Sequence, residues 1–221
     1  MAVTFLLLRR LPTSWKEWLG FLVALAVISA VAIYLDRRRR QGLQRAASEL
    51  GFSFDELALD LPHVELRKLA LLKRKSDLSN ALKGSFDGVE AVVLDCQVGS
   101  GRSAYTQTVA CFRLAGRSLP GFEQSPEGLS DKIAAAFGSQ DIDFESNPQY
   151  SNRYRLRGTD EAAVRSLFQP GILAFFEQHT GWCVEGEGEW LGVYHRAKTV
   201  RPHALRAFLV EAREISRVFG A

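Results

Sequence analysis

The sequence predicts an α+β fold: an N-terminal single transmembrane helix, then a mainly antiparallel sheet packed with several helices. Three observations carry that expectation. Residues 18–35 form a charge-free apolar run, hairpin signatures recur along the later chain, and helix-period segments alternate with those hairpins without regular βαβ crossovers.

The chain has 221 residues, 47% of them hydrophobic and 24% charged, enough for one domain plus an appendage. That apolar content excludes a disordered chain, and three Cys make neither a disulfide framework nor a zinc module. The net charge of +3 conceals a polarity. Residues 1–45 hold eight Lys/Arg against two acidic residues, whereas residues 46–221 hold 20 against 23. A basic head on a mildly acidic body is not the footprint of a nucleic-acid-binding domain, so no nucleic-acid partner is expected.

Residues 1–17 form the flank of the apolar run, with residues 2–8 (AVTFLLL) too short to span a bilayer. Residues 18–35 (WLGFLVALAVISAVAIYL) give a helix about 27 Å long, close to the hydrocarbon thickness of about 30 Å. Trp15 and Trp18 stand at one end and Tyr34 at the other, where amphipathic rings favour the headgroup region. Arg37, Arg38, Arg39 and Arg40 follow at once; guanidinium groups resist translocation and attract anionic lipid, which fixes that side as cytoplasmic. The expected location is therefore the plasma (inner) membrane, N-terminus outside, with the lipid bilayer as first partner. A cleaved signal peptide is the main rival, because Ala30-Val31-Ala32 mimics a cleavage site and would make the remainder secreted. The arginine run argues against it, since export would drag those charges across. A buried core helix and a twin-arginine signal at Arg9-Arg10 explain the flanks less well. Gly20-x-x-x-Ala24 and Ala26-x-x-x-Ala30 set small residues on helix faces, which permits close approach and a homodimer through this helix.

Residues 36–51 read as a basic juxtamembrane helix, with Leu43, Ala46, Ala47 and Leu50 at helical spacing, a break conceivable at Gly42 and a left-handed cap at Gly51. Residues 52–221 are the expected cytoplasmic α+β domain. Leu61-Pro62 breaks its first segment, a short helix follows over 64–72, and Lys73-Arg74-Lys75 reads as a solvated turn. Residues 80–86 and 89–98 around Asp87-Gly88 give the strongest hairpin signal, and residues 105–114 a partner strand. Ser125-Pro126-Glu127 reads as a helix start, with Leu129, Ile133 and Phe137 on one face and Gly138 as its stop. Residues 153–157 (RYRLR) alternate as a strand, Thr159 caps a helix through Phe168, and Pro170 starts another. Residues 182–184 and 190–195 flank a Gly186-Glu187-Gly188 turn, and residues 202–219 form a strongly amphipathic last helix.

Motifs that resemble chemistry are better explained as structure. Residues 99–104 (GSGRSA) fit a dinucleotide fingerprint, but a strand follows where a helix N-terminus must hold the phosphates. Asp141, Asp143 and Glu145 alternate with Ile142 and Phe144, as expected of a strand with two buried apolar residues rather than a cation site. Glu185, Glu187 and Glu189 form an acidic face, and Arg153, Arg155 and Arg157 a basic one; ion pairs between them are expected, with an anionic partner for the arginines as the alternative. Cys96, Cys111 and Cys183 sit in apolar strands, and His63, His179, His195 and His203 form no ligand pair. No catalytic residue, cofactor or metal is predicted, and an enzymatic activity has no positive warrant.

Residues 153–177 (RYRLRGTDEAAVRSLFQPGILAFFE), with the hairpin at 182–195, resemble an uncharacterised bacterial family of membrane-anchored proteins. Asp160, Glu161, Ala162, Leu167 and Pro170 stand in places comparable to that family's acidic helix start and second helix. The resemblance implies a membrane-tethered α+β domain and brings no activity with it. The function expected is a membrane-tethered interaction or scaffold module acting on other membrane proteins. The alternatives are a membrane-anchored enzyme or small-ligand sensor, and a secreted protein.

Overall fold

A computed structural model describes residues 14–61, 64–73, 77–128 and 141–220. The flank over 1–13, the break at Pro62, the charges of Arg74 and Lys75, and the helix expected over 129–138 lie outside them. The chain divides into two units, residues 1–42 and 43–221.

The first helix, α1 (Trp15–Leu50), has 36 residues and is helical through Gly42, so the break expected there is absent. Its end shows why Gly51 is needed. With φ at +73°, Gly51 turns its N–H to the Ser48 carbonyl at 3.2 Å, and Phe52 N–H reaches Ala47 O at 2.8 Å. Those two bonds satisfy carbonyls that the helix leaves open, and a side chain at position 51 would strain the left-handed backbone.

The second unit is built on an eight-stranded antiparallel sheet among the described residues. Its strands are β1 (Ser53–Asp55), β2 (Asp77–Phe86), β3 (Val89–Val98), β4 (Tyr105–Arg113), β5 (Leu119–Pro126), β6 (Tyr154–Gly158), β7 (Cys183–Gly188) and β8 (Trp190–Tyr194). They lie in the order β1-β2-β3-β4-β8-β7-β5-β6. The β2–β3 hairpin turns at Asp87-Gly88 with φ of +52° and +75°, the pair of positive values that matches strand twist. The β7–β8 hairpin, last in sequence, inserts between β4 and β5 and joins two halves that would otherwise be separate sheets.

The region expected to start a helix at Ser125 is instead the end of β5, paired with β6 and β7. Pro126 is read equally well as a first helical residue or as the last residue of a strand, where its missing N–H also costs nothing. Residues 141–145 are not a strand either. A backbone hydrogen bond, Ile142 N–H to Leu156 O at 2.7 Å, ties them to β6, and the expected alternation survives with Ile142 buried and Asp143 and Glu145 exposed.

Helices cover one face of the sheet: α3 (Pro148–Ser151), α4 (Glu161–Leu167), α5 (Pro170–Gln178) and α6 (Leu205–Gly220), joined by Leu43 and Ala47 from the end of α1. Asp160, not Thr159, caps α4, accepting from Ala163 N–H at 3.1 Å. Thr159 N–H is still engaged with Gly121 O at 3.0 Å, an extension of the strand ladder, so the cap falls one residue later. The centre of this face is aromatic. Phe122 meets Phe168 edge-on at 5.2 Å and stacks on Phe219 at 5.6 Å. Gly186, directly opposite Phe122 on β7, makes room for that ring: a Cβ there would lie 2.3 Å from Phe122 Cε1. The opposite face is capped over β3, β4 and β8 by a 3-10 turn (Val64–Lys68) and α2 (Ala70–Lys73), which bury Leu66, Leu69, Leu71 and Leu72 against Val92, Leu94, Val109, Cys111 and Trp190.

Candidate functional site

In α1 an apolar window of mean hydropathy 2.4 has none of its residues buried. Leu19, Leu22, Val23, Val27, Val31, Ile33 and Leu35 are all more than half exposed. The core helix of a soluble protein hides such residues; this one presents them all round, with no polar stripe, as a lipid-facing helix does. Trp15, Trp18 and Tyr34 at its ends are exposed at 72%, 46% and 61%. Arg37, Arg38, Arg39 and Arg40 follow on the same helix, Arg40 paired to Asp36 at 2.6 Å one turn earlier. The N-terminal apolar helix therefore fits a single membrane anchor.

The other half of the second sheet face, over β7, β5 and β6, carries charged side chains, of which Glu123, Arg157 and Glu185 are buried. The acidic and basic faces expected to pair are kept apart by β5, which lies between β7 and β6. Glu123 of β5 stands directly opposite both Arg157 and Glu185. The arginines find another partner: Asp141 takes Arg157 Nε at 2.7 Å and Arg155 Nε at 2.9 Å, and Glu127 takes Arg155 Nη2 at 2.9 Å. Arg153 points elsewhere, donating to Glu177 O at 2.5 Å. Any anionic partner at Arg155 and Arg157 would have to displace carboxylates from this same chain.

Glu185 is buried, with 1% exposure. Its carboxylate accepts from Leu71 N–H at 2.8 Å and from the Tyr194 hydroxyl at 2.7 Å, fastening the α2 cap to the sheet. Burial, and secondarily this carboxylate, push the Tyr194 phenol well above its ordinary range. The thiols respond in the same way. Burial, then Glu185 and Glu123, raise Cys183 to about 12, and burial with Glu185 raises Cys111. Thiols held protonated are poor nucleophiles and poor metal ligands. Among the described residues no group of three or more His, Cys, Asp and Glu side chains is placed to hold a metal ion. The GSGRSA segment is a loop with a single 3-10 turn, Gly101–Ser103, leading directly into β4; no helix N-terminus is offered to a phosphate.

No family model matches the chain, and no curated protein matches it. Its architecture does occur among solved structures. The crystal structure of the mycobacterial trehalose monomycolate transport factor A, TtfA, superposes with a TM-score of 0.55 at 15% identity, covering 83% of this chain and 91% of that one. At that identity the likeness is one of fold.

Two features of the domain escaped sequence reasoning. Glu123 sits in a strand that the proline signals disguised. The arginines around the β2–β3 turn come from segments more than 90 residues apart: Arg213 and Arg217 of α6 meet Asp87 of the turn, and Arg113 meets Glu90 and Glu189. Arg213 and Arg217 lie one helical turn apart on the edge of an amphipathic helix, which is the signal that was present.

Proposed function

We propose that this chain is a single-pass protein of the inner membrane, N-terminus outside, whose α+β domain works in the cytoplasm as a tethered interaction module for other membrane proteins. One observation carries the reading: an apolar helical window with none of its residues buried, followed at once by four arginines. Such a surface suits a hydrocarbon phase, and a cluster of guanidinium groups favours the side that is not translocated. Confinement to a membrane raises the effective concentration of the domain towards anything sharing that surface, a benefit independent of catalysis. Thiols held protonated by burial speak against a thiol-based chemical role. The solved neighbour is named a transport factor, which adds transport proteins as a partner class to test and nothing more at this identity.

Reporter fusions at residue 60 test the topology. Fluorescence from a reporter that folds only in the cytoplasm is the expected result. Alkaline-phosphatase activity at the same position would overturn the assignment and favour the secreted reading.

A further inference from the structure

Where the β2–β3 turn, the β4–β5 turn and α6 come together, the domain surface carries two open hollows of about 450 and 360 Å³. Arg213 and Arg217 line both. The first hollow also has Arg113, Arg117, Glu90 and the apolar Val89 and Leu114; the second has Asp87, Arg206, Glu214 and the apolar Phe86 and Val210. The volumes are those of small-molecule sites, and the lining mixes cations with hydrocarbon.

The guanidinium groups are not equally engaged. Arg113 is held by Glu189 at 2.8 Å and Glu90 at 3.4 Å, and Arg117 donates to Gly220 O at 2.8 Å. Arg213 and Arg217 share one carboxylate oxygen, Oδ2 of Asp87. Arg217 takes the close contact, leaving Arg213 Nε 3.7 Å away, too far for a hydrogen bond. Arg213 gives Nη1 to Ser216 Oγ at 2.8 Å, but its Nε is buried without an acceptor, and the side chain is only 14% exposed. Burial and the neighbouring Arg217 cation lower its affinity for its proton, which Asp87 only partly restores. The result is two adjacent cations sharing one anion, with the buried Nε of Arg213 unsatisfied, in the lining of the two hollows.

We propose that this groove binds a phosphate-bearing ligand, with the phosphate dianion seated between Arg213 and Arg217 and the organic part lying along Val89, Leu114 or Val210. A phosphate offers enough oxygens to engage both planar forks at once, which the single shared oxygen of Asp87 does not. The last carbonyls of α6 and the carboxylates of Asp87, Glu90 and Glu214 oppose an anion here, so the phosphate has to take the place of Asp87 beside Arg213 and Arg217. A soluble phosphorylated molecule and the headgroup of an acidic phospholipid share this chemistry.

The test uses the full chain in an uncharged detergent, following thermal unfolding in inorganic phosphate against chloride of equal ionic strength. Phosphate is expected to raise the midpoint in a saturable way. Arg217→Gln, at a side chain 57% exposed and therefore tolerant of change, weakens the apparent affinity about fivefold. Asp87→Asn strengthens it, and Asn is at home at the positive φ of that turn. Arg67→Gln, on the capped face, leaves it unchanged. Tighter binding of short-chain phosphatidate than of glycerol phosphate assigns the site to lipid headgroups, and equal binding assigns it to a soluble ligand. No rise beyond chloride, or the same response in wild type, Arg217→Gln and Asp87→Asn, overturns the proposal.

Discussion

The first and last helices of the chain are both rich in apolar residues and place them in opposite ways. In α6 they fall on one stripe: Leu205, Phe208, Leu209, Ala212, Ile215 and Phe219 are buried, while Arg206, Glu211, Glu214 and Arg217 face water. In the apolar part of α1 no stripe exists, and large side chains stand exposed on every side. The periodicity of hydrophobicity therefore names the solvent of each helix. A period of 3.6 calls for a protein core, and a run without period calls for lipid.

Four substitutions and two solution conditions sharpen or break that contrast. The largest effect is expected at the core that α6 covers. Phe122→Ala removes a ring packed on Phe168, Phe219 and Gly186, and is expected to lower the domain's unfolding free energy by about 3–5 kcal/mol in denaturant titration. Membrane association of the chain should not change. Ile28→Arg reverses the pattern: a charge at the middle of the apolar window is expected to cost about 2.5–3.5 kcal/mol of insertion and shift protein from membranes to the soluble or degraded fraction. Val210→Arg, at a similarly exposed position on α6, should change domain stability by no more than about 0.5 kcal/mol. Equal behaviour of these two variants would break the comparison.

A smaller effect separates the two faces of the sheet. Glu185→Ala leaves Leu71 N–H and the Tyr194 hydroxyl without their acceptor, a loss of about 1–3 kcal/mol. Hydrogen exchange should accelerate over residues 66–73 before it does so in the helices of the other face. The smallest effect is alkaline. Cys183 ionises at about 12 when folded against an ordinary 9.0, so the native state keeps its proton when the unfolded chain has lost it. Stability from this group is whole below pH 9 and falls as pH rises towards 12, by under about 1 kcal/mol at pH 9.5. At pH 8 the three buried thiols should resist a thiol reagent until the domain is unfolded.

The parts legible in the sequence were those whose signal is local. The Asp87-Gly88 hairpin, the Gly51 cap and the stripe of α6 each announce themselves within one segment. The anchor is local too, because its partner is a solvent rather than another part of the chain. What the sequence left hidden is set by distant pairings. Nothing near Leu119 says that β7 and β6 will flank it, and Pro126 has the same first reading at the start of a helix. The partner of Arg155 and Arg157 was missed for the same reason, since β5 had to be recognised before Glu185 could be seen to lie two strands away. The groove at Asp87 gathers side chains from the β2–β3 hairpin, the β4–β5 turn and the last helix, and no spacing rule connects them.

Flotation of the full-length chain on a sucrose gradient after cell lysis without detergent addresses the anchor most directly. The chain is expected to float with membranes, to stay with them through a high-salt wash that strips proteins held by arginine–lipid attraction, and to be released by detergent. Recovery of intact chain in the soluble fraction before any detergent is added would contradict the account.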